Sequence, residues 1–426
     1  MRSVGSLPKP AHLATLLLVL AAGIFLRLPV ALFEGPGAPL ASLSALHPKP
    51  AWTNVGFDEN LYRSYVNGVI QTGIGNYSDI VDRYIEVQKT LTGSILPPMR
   101  FLYIFSAYLW HLTFGTEALQ ALKNVASFFN ILALLVSTVF AWRLKGPACA
   151  LGVAALMAFA PLQLHMSQHA LVDGFFAFWA LFVLWMLWEN LRAPRAWRWL
   201  VPYTLGLALM VTTKENAAFV FIALLALLAV NRWLQWGQVT RELLACTFIG
   251  PLLGFVLLVF VAGGLETLIT TYQLSVSKNY QLTYAIMTGD GPWHRYLVDL
   301  LLVSPIILLL ALGTIFRLNR NQKPELFLTV FIGASYLVMC NLKYGMNLRY
   351  ANMWDMPLRV LAFSLLVSVI RPITRNRMVF LGLVVALIAA VEMRQYLILA
   401  IQYPLYELVS EGLLRALHIL KSAPQP

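Results

Sequence analysis

Apolar residues fall along this chain in runs of about twenty, separated by short polar connectors. The first run follows Met1 to Ala11 and extends to about Phe33. Ten more lie at about 119–142, 148–167, 170–190, 198–213, 215–231, 243–262, 297–316, 326–342, 351–370 and 378–396. A hydrocarbon core of about 30 Å takes roughly 20 helical residues. Backbone N–H and C=O groups find no water there, so each run predicts a helix that bonds its own backbone. Nothing reads as the short alternating strands of a membrane barrel. The expected fold is therefore all-α: a polytopic bundle of about eleven transmembrane helices, one domain over 1–426. The first run also has features of a signal peptide, but its length favours an uncleaved first span.

The connectors carry the charge. Basic residues cluster at Arg143 and Lys145; at Arg192, Arg195 and Arg198; at Arg232 and Arg241; at Arg317, Arg320 and Lys323; and at Arg371, Arg375 and Arg377. Positive residues are enriched in cytoplasmic loops, so these five connectors, with Arg2 and Lys9, are expected inside. Two spans separate each connector from the next, so the parity is consistent. Trp142, Trp188, Trp199 and Trp233 stand at the same ends, as interfacial aromatics do. The parity leaves 33–118 and 263–296 outside. Residues 97–115 (PPMRFLYIFSAYLWHLTFG) are apolar enough for a twelfth span. Parity requires them to start and end outside, as a juxtamembrane or re-entrant helix. The tail 398–426 also falls outside and reads as an interfacial amphipathic helix (LYELVSEGLLRALHILK).

Composition narrows the class. The chain is 59% hydrophobic and 12% charged, whereas soluble chains carry about 25% charged residues. The deficit is spread evenly, so no ordinary soluble domain is expected. A net charge of +12 would suit nucleic acid, but the basic residues form no single patch and no nucleic-acid partner is expected. Cys149, Cys246 and Cys340 have no metal-ligand spacing and read as small packing residues.

Against this background the polar residues at the outer ends of the runs stand out. Asp58 and Glu59 open an amphipathic helix in GFDENLYRSYVNGVI. Either they complement the helix dipole or they do chemistry. Asp173 stands about one turn into a span, where a carboxylate is costly unless it faces water or has a function. His165 and His169 precede it, without a third ligand nearby in sequence. Lys214 and Glu215 sit in an outer hairpin: an internal ion pair, or a cation for a phosphate. The segment KYGMNLRYANMWDMP brings Lys343, Arg349, Tyr350 and Asp355, as span flanks or as contacts for an anionic group. Trp293, His294 and Arg295 lie in the second outer segment. Separated carboxylates and cations at one face suit a phosphate-bearing substrate: a base takes the proton of an attacking hydroxyl, and cations stabilise the phosphate that leaves.

Several of these stretches, taken in order, resemble the GT-C membrane glycosyltransferases, in particular the protein O-mannosyltransferase and aminoarabinose-lipid A transferase superfamily. GFDENLYRSYV is similar to the family's acidic motif in the first outer loop. LPPMRFLYIFSAYLWHLTFG is similar to its HPPLYY-type segment, with Leu96 in place of the His. ALVDGFFAFWALFVLW, LGLALMVTTKENA, GPWHRYL and NLRYANMWDMPLRVLAFSLL resemble its second acidic motif, its GLALLTK segment, its PW segment and its RY…P segment. The resemblance implies a GT-C fold with juxtamembrane helices in the first outer loop. It implies an inverting glycosyltransferase of the cell inner (plasma) membrane, N-terminus cytoplasmic and active site extracytoplasmic. The sugar passes from a polyprenyl- or dolichyl-phosphate donor to a hydroxyl of a lipid, glycan or protein acceptor. Asp58, with Glu59 beside it, maps onto the base and Asp173 onto the second acid. Lys214, Arg349, Arg100 and Tyr350 map onto the donor phosphate site, and His294 and Trp293 onto acceptor or donor contacts. No cofactor is specified, and a divalent metal stays open. The competing reading is a transporter or flippase for a lipid-linked glycan, which would favour charges at the bilayer midplane. A non-catalytic scaffold would not need these residues to converge.

Overall fold

The computed structural model describes residues 10–52, 54–343, 345–370 and 376–420. Arg2, Lys9, Arg371 and Arg375 of the basic clusters lie outside the described residues, as does 421–426 of the tail. Among the described residues every regular element is helical. In chain order the α-helices are α1 (Pro10–Arg27), α2 (Phe57–Thr72), α3 (Tyr77–Thr90), α4 (Phe101–Phe114), α5 (Ala118–Lys145), α6 (Pro147–Ala158) and α7 (Pro161–Gln168). Then come α8 (Val172–Arg192), α9 (Trp197–Val211), α10 (Ala217–Leu234), α11 (Arg241–Val261), α12 (Leu265–Asn279) and α13 (Thr283–Gly289). The last are α14 (Arg295–Val303), α15 (Pro305–Ile315), α16 (Lys323–Met339), α17 (Asp355–Ile370), α18 (Arg377–Leu397) and α19 (Ser410–Ala416), with a 3₁₀ turn, Leu348–Trp354, leading into α17.

Each apolar run is helical, but not each is one long helix. Among the described residues, seven helices are long and apolar enough to cross a membrane, eight if α6 and α7 make one span. The count of about eleven is not carried by helix length, for three physical reasons. The run 148–167 is broken where Pro161 lacks a backbone N–H, and its halves bend by 56°. Pro305 divides 297–316 into α14 and α15 in the same way. α9 spans 15 residues and α16 spans 17. α9 ends at Val211, and in the turn that follows Thr212 and Thr213 donate their hydroxyls to the carbonyls of Leu209 (2.8 Å) and Met210 (2.5 Å).

α8 and α17 are enclosed by the bundle, whereas α1 and α11 expose Leu17, Leu18, Phe248 and Phe260 on its rim. The break between α6 and α7 frees carbonyls inside the bundle. Two buried arginines take them. Arg27 donates to Met157 O (2.7 Å) and Ala158 O (3.0 Å), and Arg359 Nε donates to Leu156 O (3.0 Å). Arg359 also pairs with Asp355 (2.5 Å) and Glu392 (2.6 Å), so its charge is matched where solvent cannot reach it.

Helices α2, α3, α4 and α12 form a layer over one end of the bundle. Its core gathers Tyr62, Val66, Val81, Tyr103 and Ile104 against Leu122 and Val125 of α5. Lys278 of α12 donates to Gln88 O (2.5 Å) and Lys89 O (3.0 Å), fastening the two long connecting segments together. α4 covers the segment read as juxtamembrane. At 1.5 Å per residue its 14 residues span about 21 Å, short of a hydrocarbon core. The tail departs from its expected form. It is not one amphipathic helix: a π turn, Ile398–Gln402, and an irregular stretch through Pro404 precede the seven-residue α19. Leu408 and Leu413 are buried in the main core, so this segment packs back onto the protein.

Candidate active site

Four of the charged residues singled out in the sequence, Asp58, Asp173, Lys214 and Arg349, meet beneath this layer. Gly56 precedes α2 as its cap, and the carboxylate of Asp58 in the first turn accepts a hydrogen bond from Arg349 Nη2 (2.7 Å). Arg349 stands on the 3₁₀ turn, whose start is fixed by Asn347 Oδ1 accepting from the Arg349 N–H (3.0 Å). Its Nε lies 3.5 Å from Asp173 Oδ2, at the first turn of α8. The other Asp173 oxygen accepts from the Lys214 ammonium, which comes from the turn between α9 and α10. Lys214 also sits 3.7 Å from the centroid of the Tyr350 ring, a cation over an aromatic face. Five side chains from four distant stretches thus share one buried cluster; Asp173, Lys214 and Arg349 have side chains no more than 8% exposed.

Arg100 flanks the cluster. It donates to the Tyr62 hydroxyl of α2 and to Glu215 (3.2 Å). Its position is set by backbone: Tyr65 and Tyr77 donate to the carbonyls of Leu96 and Pro98 (2.6 Å each), and Leu102 N–H donates to Thr212 O (2.9 Å). Leu96 thus serves through its carbonyl, and its side chain packs in the core of the layer.

The remaining expectations fall elsewhere. Glu59 is 1% exposed and both its oxygens are used: one accepts from Gly56 N–H (2.8 Å), the other from Ala170 N–H (2.6 Å), with His169 Nδ1 at 3.5 Å. Burial pushes its carboxyl up, yet the His169 ring and these two N–H groups outweigh that and hold it down at about 2. It clamps the start of α2 to the start of α8, which places Asp58 near Asp173. Asp355 belongs to the Arg359 network inside the bundle, not to the cluster. His165 Nε2 contacts Tyr406 O (3.1 Å). No group of three or more His, Cys, Asp or Glu among the described residues is arranged to hold a metal. Trp293 is exposed, and His294 lines a separate cleft of about 340 Å³ with Asp290, Arg295, Ser410 and Glu411.

Two residues of the site were not singled out by the sequence. Glu407 Oε1 lies 3.2 Å from Arg349 Nη1, and its Oε2 accepts from Asn347 Nδ2 (2.7 Å). Tyr406 stacks on Trp52 (ring centroids 5.6 Å apart) and fills the space beside Gly56. A Cβ at Gly56 would stand 2.0 Å from that ring, so the close approach requires glycine. Both come from the tail, whose sequence pattern gave no reason to look for site residues.

No family model and no curated sequence matches this chain. Solved structures do. ArnT from Cupriavidus metallidurans in the apo state is similar at a TM-score of 0.56 and 14% identity, over 96% of this chain and 76% of that one. The same protein bound to undecaprenyl phosphate gives 0.54 at 14% identity, with the same coverage. The oligosaccharyltransferase AglB from Archaeoglobus fulgidus, in complex with an inhibitory peptide and a dolichol-phosphate, gives 0.53 at 12% identity. That match covers 90% of this chain, which spans 56% of the AglB length. At such identities the likeness is one of fold. Both neighbours are GT-C membrane proteins, and the chain described here has the GT-C fold.

Proposed function

We propose that this protein is an inverting glycosyltransferase that moves a sugar from a polyprenyl- or dolichyl-phosphate donor to an acceptor hydroxyl on the extracytoplasmic face of the membrane. The observation that carries the reading is the convergence on Arg349: Asp58, Asp173 and, through Asp173, Lys214 meet there from separate helices and turns. Neighbours of the same fold have been solved with undecaprenyl phosphate and with a dolichol-phosphate, which supports that donor class. In this reading Asp58 takes the proton of the acceptor hydroxyl as its oxygen attacks the anomeric carbon. The bond from that carbon to the phosphate oxygen breaks on the opposite side, and the electron pair leaves with the lipid phosphate. Lys214 and Arg349 stabilise that leaving group in a buried, water-poor setting. Asp173 holds Lys214 in place, and Tyr350 holds it from the other side.

The test is sugar transfer in membranes holding the wild-type protein or Asp58→Asn, with a panel of radiolabelled polyprenyl-phosphate sugars. The wild type should strip label from one donor, and the variant should fold normally and turn over about 100-fold more slowly or worse. Equal turnover by Asp58→Asn removes Asp58 as the base. No turnover with any donor, together with lipid translocation, replaces the reading by a carrier of lipid-linked glycan.

A further inference from the structure

Arg349 is crowded with negative charge and yet incompletely bonded. Four carboxylates (Asp58, Asp173, Glu215 and Glu407) face three cations (Arg349, Lys214 and Arg100) in the cluster. Of the Arg349 donors, only Nη2 has a well-aligned acceptor; Nε and Nη1 are buried without a hydrogen bond, despite Asp173 and Glu407 standing close. A buried charged donor without an aligned acceptor is costly. Such a donor fits a site whose proper acceptor arrives with the ligand. A phosphate has the oxygens to satisfy it. But a phosphate adds negative charge to a buried site that already holds more carboxylates than cations, and like charges there repel strongly.

One carboxylate is held differently from the rest. Asp58 rides on α2, Asp173 on α8, and Glu215 is bonded to Arg100 within the tight α9–α10 turn. Glu407 alone rides on an irregular stretch, between the π turn and α19. Firm anchors bracket that stretch: Leu405 N–H donates to Leu399 O (2.9 Å), and Leu408 and Leu413 are buried in the core. Between them the Glu407 side chain is held by Asn347 and by a 3.2 Å ion pair that is not an aligned hydrogen bond. The groups acting on it are Arg349, which favours its charge, and Asp58 and Asp173, which oppose it; Tyr284 and Tyr406 are the nearby phenols. Burial is the largest influence and raises its carboxyl above the ordinary range.

We propose that Glu407 is a placeholder on Arg349, holding the guanidinium until the phosphate of the incoming lipid donor displaces it. This rests on the reading above of the cluster as the donor phosphate site. Departure of Glu407 offsets the negative charge that the phosphate brings to Arg349. It makes release of Glu407 conditional on a group that can replace its charge, so a neutral polyprenol does not qualify. It also frees the stretch around Glu407 at the moment the donor is seated.

The experiment is binding of undecaprenyl phosphate to the full chain in detergent, for the wild type and Glu407→Gln. Removing the competing charge should lower Kd by about tenfold. This is opposite to the loss expected of a residue that contacts the donor or merely supports the site. Wild-type binding with no gain in Glu407→Gln, or with weaker binding, overturns the placeholder role and leaves the donor site standing. No binding by either protein overturns both. Inorganic phosphate, run in parallel, should bind far more weakly, and equal binding would overturn the assignment to a lipid donor. A second measurement needs no variant: hydrogen exchange of 403–409 in the wild type should quicken when undecaprenyl phosphate is added. Unchanged or slower exchange there overturns displacement.

Discussion

Arg349 and Lys214 have different jobs because their chemistry differs. Arg349 stays charged at any accessible pH and offers a planar fork to several oxygens, whereas a buried lysine is a point charge whose proton is negotiable. Burial is the largest influence on Lys214 and lowers its ammonium to about 8; Asp173 opposes that fall, while Arg100 and Arg349 add to it. A lysine is charged below its pKa and neutral above it. Affinity for a polyprenyl phosphate should therefore fall as pH rises through about 8, and Lys214→Arg should flatten that fall. A titration of Kd against pH for both proteins checks this; identical profiles would remove Lys214 from the phosphate site. At this scale the sequence was partly legible. Asp173 and Lys214 stood out because charge at the end of an apolar run is costly and needs a reason. Glu59 stood out for the same reason as Asp58, and only the contacts separate them: Asp58 reaches Arg349, whereas Glu59 is consumed by two backbone N–H groups.

Among the elements, the broken pair α6 and α7 shows how the bundle accommodates a fault. Pro161 ends the helical pattern, and the carbonyls of Leu156, Met157 and Ala158 lose regular helical partners where lipid offers none. Arg27 and Arg359 satisfy them, and Asp355 and Glu392 neutralise Arg359. Arg359→Ala strands both carboxylates and one carbonyl in a buried site, which should cost about 3–5 kcal/mol. Arg415→Ala breaks the exposed pair with Glu411 and should cost under about 1 kcal/mol. Thermal unfolding of the two variants in detergent checks the contrast; an Arg359→Ala protein as stable as Arg415→Ala would show that the network contributes nothing. Pro161 was visible in the sequence, but the arginine that answers it comes from α17, some two hundred residues away, and no local pattern connects them.

For the molecule as a whole, the layer formed by α2, α3, α4 and α12 sits over the charged cluster and supplies Asp58 and Arg100 to it. We propose that this layer faces the extracytoplasmic side, the reading that the basic connectors support. Leu109, 44% exposed on α4, is a direct probe of that scheme. With the native cysteines replaced, Leu109→Cys should react with a membrane-impermeant thiol reagent from the extracytoplasmic side. Labelling from the cytoplasmic side alone would invert the parity on which the orientation rests.

By itself the sequence determined the membrane class, the helical fold and the places where the apolar runs end, because hydrocarbon imposes length and self-bonded backbone on each run separately. It also pointed to those ends as the places where charged groups stand, since unpaired charge is expelled from the apolar stretches. Only the tertiary structure decided which charges meet. Arg349 chooses among Asp58, Asp173 and Glu407 by distance, and Glu407 arrives from a tail that reads as a surface helix until Leu408 and Leu413 are seen buried. The partners of a buried charge are set by packing between elements distant in sequence, and neither periodicity nor local charge records that packing.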